Sequence, residues 1–268
     1  MRLLTLTAAL ALLLATPVSA DWVKLEDFEG DLSKWTTTKL TGHGGIEADP
    51  DDAGNNVLFL DDPGSTPGDD LNMYLSLGGN KIVSDDTGTL FGRMRTKGAL
   101  TDTNGHFGVS NWLNPDAWGD FSAYMSEDGQ WSVRDGTGYK TTDQQPDDET
   151  WINFWVVVDN PGDVYHVYYT TTYGEDAEAG DQMSHTTTDK DFTFRSGTGA
   201  LAMETLLVRA SIENEEGWYL DDLYIDSSSQ NLSNPVGGSA TVPEPATLLL
   251  LGTGLFGVLG IRRRRRMR

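Results

Sequence analysis

Short apolar runs alternate with clusters of Gly, Pro, Asn and Asp along most of this chain, and the three-to-four-residue apolar spacing of amphipathic helices is nearly missing. Twelve runs read as strands. They fall near Trp22–Phe28, Asn56–Leu60, Met73–Leu77, Thr89–Arg95, His106–Ser110 and Phe121–Ser126, then near Gln130–Arg134, Trp151–Asp159, Val164–Thr170, Asp191–Arg195, Glu204–Ala210 and Trp218–Asp226. Turn signals separate them, among them Asp62-Pro63-Gly64, Asp128-Gly129 and Asn160-Pro161-Gly162. Trp151 to Val158 is apolar on both strand faces, which predicts a central, buried strand. Val164 to Tyr169 follows the Asn160-Pro161-Gly162 turn and is its expected hairpin partner. So many short strands predict one all-β domain over residues 21–226, a two-sheet antiparallel jelly-roll sandwich.

Both ends depart from this pattern. Arg2, the apolar stretch Leu3–Ala15 and the small-residue exit Val18-Ser19-Ala20 read as an N-terminal signal helix, cleaved after Ala20. Residues 227–241 are rich in Ser, Asn and Gly and are expected to form a flexible linker. Beyond them come Val242-Pro243-Glu244-Pro245, an uncharged run Ala246–Ile261, and Arg262–Arg266 with Arg268. The run is near the lower length limit for a transmembrane helix, and the arginines would keep its end in the cytoplasm.

Pro243-Glu244-Pro245, the apolar segment and the terminal arginines, in that order, resemble the PEP-CTERM sorting domain over residues 242–268. The resemblance implies an exosortase as partner, a transient stay in the inner membrane, cleavage near Pro243 to Pro245, and delivery to the cell surface or an exopolysaccharide matrix. A plain C-terminal anchor is the alternative, and both readings place residues 21–242 outside the cytoplasm.

Setting the two ends aside changes the electrostatic picture. Twelve basic and forty acidic residues remain in 21–242, a net charge of −28. Such a body repels nucleic acid and anionic lipid, and it would repel a polyanionic sugar unless a cation intervened. There is no cysteine, so disulfides and thiolate metal sites are excluded. His43, His106, His166 and His185 stand far apart, without metal-ligand spacing.

A second resemblance rests on Leu25-Glu-Asp-Phe-Glu-Gly30 with Trp35, on Trp151 to Asn160, and on the closing Trp218-Tyr-Leu-Asp-Asp-Leu-Tyr-Ile-Asp226. These are similar to stretches of concanavalin-like and laminin-G-like carbohydrate-binding modules. The resemblance implies a structural calcium ion held by Glu29 with Asp221 or Asp222. Alternation puts Asp221 on the face of Leu223 and Ile225, and Asp222 on the face of Trp218 and Tyr224. Asp49-Pro-Asp-Asp-Ala-Gly-Asn-Asn56 is a further acidic loop, but it lacks the bidentate Glu of an EF-hand.

Sugars stack on flat aromatic rings while polar neighbours take their hydroxyls. Trp112, Trp118 and Trp131 are the candidate stacking residues, with Tyr124 and Tyr139 nearby and Asn111, Asn114, Asp116 and Arg134 interleaved. Serine-hydrolase and zincin motifs are missing, as are the paired-Glu strand of concanavalin-like glycosidases and the Gln-x-His strand of jelly-roll lyases. The expectation is a non-catalytic protein that binds or sits in extracellular polysaccharide, with a glycosidase or lyase of the same fold and a purely structural surface protein as alternatives.

Overall fold

Period-two alternation of apolar and polar side chains gives each strand one face for a core, and the strands assemble into two antiparallel sheets packed as a sandwich. The structure, a computed structural model, describes residues 22–237 except 39–43, 63–70, 100–103, 113–122, 129, 137, 186–188, 196–200 and 211–213. Both expected terminal helices lie outside the described residues, as do Pro243, Glu244 and Pro245.

In the first sheet β3 (Gly44–Ala48), β4 (Asn56–Asp62), β15 (Asn214–Asp226), β6 (Thr87–Thr96), β11 (Ile152–Asp159), β12 (Val164–Thr170) and β13 (Phe192–Thr193) lie side by side in that order. β1 (Val23–Glu26) also pairs with β15, along its second half. The second sheet runs β2 (Thr36–Thr38), β5 (Leu71–Ser76), β14 (Thr205–Ala210), β7 (Asn104–Ser110), β8 (Ala123–Asp128), β9 (Trp131–Asp135) and β10 (Gly138–Thr141). The expected hairpin is present: Asp159 pairs with Val164 and the ladder continues to Asn153 with Thr170. β11 is buried from Ile152 to Val158 and sits between β6 and β12.

The core lies between the sheets. Leu58, Leu90, Met94, Phe154, Val156 and Leu220 from one sheet meet Met73, Phe107, Val109, Val133, Leu206 and Val208 from the other. Each such side chain, fully buried, contributes about 1.5–3 kcal/mol. The rings of Phe107 and Phe154 meet edge to face across the layers, 4.6 Å between centroids.

The closing strand breaks alternation. Asp221 pairs with Arg93 and Tyr224 with Phe91, so two residues of β15 face the single Gly92. This is a β-bulge, and Asp222 takes a left-handed φ of 52° within it. A β-carbon at position 92 would fall 2.6 Å from Phe154 Cζ and 2.9 Å from Leu223 Cδ2. The bulge corrects the face assigned by simple alternation. Trp218, Leu220, Leu223 and Ile225 all enter the core, while Tyr219 and Tyr224 pack in clusters apart from it. Asp221 shares the Tyr219 and Tyr224 side, not that of Leu223 and Ile225.

A further correction concerns residues 227–237, which are not a flexible linker. They form a strap docked over the outer face of the first sheet. Thr89 Oγ1 donates to the Ser229 carbonyl and accepts from the Asn231 amide, both at 2.9 Å. Trp155 Nε1 donates to the Ser233 carbonyl at 3.1 Å, and the Ala177 amide donates to the Leu232 carbonyl at 2.9 Å. Leu232 and Val236 pack on the cluster of Phe91, Trp155, Val157, Tyr168 and Ala177. Asp226, Asn231 and Asn234 each accept from a backbone amide two residues on, closing three local turns.

Candidate functional site

The outer face of the second sheet gathers aromatic and basic side chains from strands far apart in sequence. Antiparallel register sets Asn72 on β5 beside Arg209 on β14, and Arg209 beside His106 on β7. Two strands further on, Arg134 of β9 pairs with Tyr139 of β10. Tyr139 reaches back across the sheet, with its hydroxyl 3.3 Å from His106 Nε2. The Arg134 guanidinium lies 4.5 Å from the centre of the Tyr139 ring, a cation–π contact, and its Nε donates to the Gly136 carbonyl at 3.1 Å. Burial, followed by the nearby Arg209, Arg195 and Arg134 guanidinium groups, pushes the His106 imidazole down to about 3. His106 is therefore neutral at any physiological pH and holds the Tyr139 hydroxyl without adding charge.

Trp112 lies just past the end of β7. Its amide donates to Ser110 Oγ at 3.0 Å, and its carbonyl accepts from Thr205 Oγ1 at 2.7 Å. With its backbone clamped in this way, its side chain stands 54% exposed, and Tyr139 is 44% exposed. Most large apolar side chains of a sandwich are covered, so each of these open rings is available to stack on a planar or sugar-like ligand. Trp131 does not join them. It is 3% exposed and packed in the main core, so its ring is no stacking platform. Trp118 lies outside the described residues.

The acidic candidates occupy the opposite sheet. Asp221 is 1% exposed. Its Oδ1 accepts from the Asp222 amide at 2.8 Å and its Oδ2 from Asn55 Nδ2 at 2.9 Å. Arg93 Nη1 stands 3.2 Å from Asp222 Oδ2 and 3.7 Å from Asp221 Oδ2. The same guanidinium lies between the rings of Trp151 and Tyr173, 4.8 and 4.9 Å from their centres. Glu29 is bound elsewhere, accepting from the Asn56 amide at 2.9 Å and from Asn56 Nδ2 at 3.0 Å. The three carboxylates do not form one ligand set in this structure, and the positive charge beside Asp221 and Asp222 is the Arg93 guanidinium. Among the described residues no group of three or more His, Asp or Glu side chains could hold a metal ion. Burial, and then the neighbouring Asp222, push Asp221 up to about 7.

A polar recess of about 260 Å³ lies beside β12, lined by Gln144, Tyr169, Thr170, Thr171, Glu175, Gly180 and Asp181. It contains none of the residues singled out in the sequence.

A family model described as the PEP-CTERM protein-sorting motif matches residues 241–265. The chain carries a PEP-CTERM sorting motif. The motif implies an exported protein that an exosortase recognises at the membrane and processes. No curated protein matches the chain in sequence. Among solved structures it is similar to a sialidase, at 10% identity and a TM-score of 0.51, over 79% of this chain and 19% of that one. The catalytic domain of a glycoside hydrolase family 131 protein from Coprinopsis cinerea shares 10% identity over 82% of this chain and 88% of that one, with a TM-score of 0.44. The sialidase likeness extends to the β-sandwich fold alone, and this chain spans only about a fifth of the sialidase's length.

Proposed function

We propose that this is a surface or extracellular-matrix protein, exported by a signal peptide ending at Ala20 and freed by exosortase cleavage near Pro243 to Pro245. Its sandwich binds exopolysaccharide without turning it over. The observation that carries the binding role is the exposure of two aromatic rings, Trp112 just past β7 and Tyr139 on β10, the latter backed by Arg134 and His106. Stacking one sugar ring on an aromatic side chain and hydrogen bonding its hydroxyls gives modest affinity per site, which repeated sites along a polymer convert into firm retention.

The test is retention of the mature protein, recovered from cells, on the producer's own exopolysaccharide. Trp112→Ala and Tyr139→Ala are each expected to weaken retention roughly tenfold, the loss of about 1.4 kcal/mol of contact. Full retention by the double variant would reject the site. Release of reducing ends or unsaturated sugars from the same polymer would assign the protein to glycosidases or lyases instead.

A further inference from the structure

The strap and the sorting motif lie close together along the chain. Gly237, the last residue of the strap that the structure describes, seats against Tyr173: a β-carbon there would fall 2.5 Å from the ring. Residues 238–242 are all that separate it from Pro243. Fully extended, that stretch spans about 20 Å between the α-carbons of Gly237 and Pro243. A folded body of about 200 residues has a radius of gyration near 17 Å and is thus roughly 40 Å wide. With the strap docked, the sorting motif cannot move further from the sandwich than about half the sandwich's own width. With the strap released from Asp226 onward, the same motif can extend roughly 60 Å away.

We propose that the docked strap is a length gate on processing: exosortase reaches the motif efficiently only when residues 227–237 peel off the first sheet. The proposal rests on the exosortase reading of the tail. A membrane protease must draw an extended stretch of substrate into its active site, and the bulk of the sandwich opposes this when the tether is short. The strap is built to be released without unfolding the sheet beneath it. Its contacts are side-chain and single backbone hydrogen bonds plus two modest apolar residues, Leu232 and Val236, and it forms no strand ladder with its neighbours. Segments of this kind open at lower free energy than the strands they cover. Undocking uncovers the cluster of Phe91, Trp155 and Tyr168 and the Trp155 indole N–H, so the strap returns once the tail is gone.

The experiment follows conversion of the full-length precursor to its mature form by pulse–chase, in cells with and without the exosortase. Two changes are compared. A flexible Gly-Ser spacer of about ten residues is inserted between Gly237 and Gly238, which lengthens the tether and leaves the strap intact. The double substitution Asn231→Ala and Asn234→Ala loosens the strap by removing its bonds to Asp226, Ser233, Glu175 and Val236. Each change is expected to shorten the precursor half-time roughly threefold or more, as a tether that barely spans its sites gives way to one that does. The strap substitutions are expected to add nothing once the spacer is present. Unchanged conversion of the spacer variant overturns the gate, and so does a further acceleration when both changes are combined. Should the double substitution prevent folding, the spacer variant alone decides. A wild-type chain left unshortened in cells that hold the exosortase would instead defeat the reading of the tail.

Discussion

Asp221→Asn isolates the energetic role of the carboxylate buried beside the β-bulge. Burial and the adjacent Asp222 raise the folded-state value from the ordinary 3.8 to about 7. The unfolded chain loses this proton near pH 4 and the folded chain only near pH 7, so between those values the folded state binds more protons. Unfolding stability therefore falls as pH rises through that window, by about 1.4 kcal/mol per pH unit, and the whole rise is worth roughly 4 kcal/mol. Asn has the same shape but no charge to desolvate. It loses one acceptor toward Asn55 or the Asp222 amide, a cost of about 1 kcal/mol that does not depend on pH. Burial also raises the neighbouring Asp222 carboxyl, and its pairing with Arg93 opposes that rise in both proteins. Asp27, Asp31 and Asp135 are held low by hydrogen bonds and give the opposite slope, but both proteins contain them and they cancel in the difference. Urea unfolding at intervals from pH 4 to pH 8 measures that difference. The variant is expected to be slightly less stable than wild type at pH 4 and about 3 kcal/mol more stable at pH 8. Parallel curves, with a difference constant to within about 0.5 kcal/mol, would refute the assignment of Asp221 as a destabilising buried acid.

Gly92→Ala drives a methyl group into Phe154 and Leu223 at the bulge, and overpacking of this kind costs about 1–3 kcal/mol. Calorimetry should show a melting temperature lower by about 3–8 °C, and an unchanged value would contradict the packing described there. Trp131→Ala removes a ring from the core, at a cost of about 3–5 kcal/mol in urea unfolding. The fraction that stays folded should hold polysaccharide as wild type does, which sets it apart from Trp112→Ala.

Strands were legible in the sequence wherever a face had to be buried. β11, β12 and β6 carry continuous or alternating apolar residues, and the hairpin of β11 and β12 falls where the Asn160-Pro161-Gly162 turn placed it. β2, β3 and β10 escaped notice because they are short, polar edge strands such as Thr36-Thr37-Thr38, with one partner each and no buried face to impose a pattern. The face of Asp221 was misread because one extra residue in β15 resets the alternation, and nothing in Leu220-Asp-Asp-Leu223 announces it. Arg93 went unweighed as a partner for the carboxylates, though Phe91-Gly-Arg93-Met-Arg95 shows the period-two pattern that puts both arginines on the outer face. The strap was hidden by composition, since Ser and Asn are common in linkers. The available signal was Asn231-Leu-Ser-Asn-Pro-Val236, in which two side chains able to cap a turn are interleaved with two apolar ones. Trp112, Tyr139 and Arg134 could be named from the sequence, but His106 and Arg209 could not be added to them. They stand about a hundred residues apart, and only the pairing of β7 with β14 makes them neighbours.

The placement of β15 has a consequence for how the body matures. The last strand to be synthesised is an inner strand of the first sheet, flanked by β6 on one side and by β4 and β1 on the other. A chain exported amino end first therefore carries a sheet split at its middle until residue 226 has cleared the channel. The contacts that close the gap join the first strand to the last, a separation that makes for slow, late folding. The first sheet therefore consolidates only once its last strand is in place.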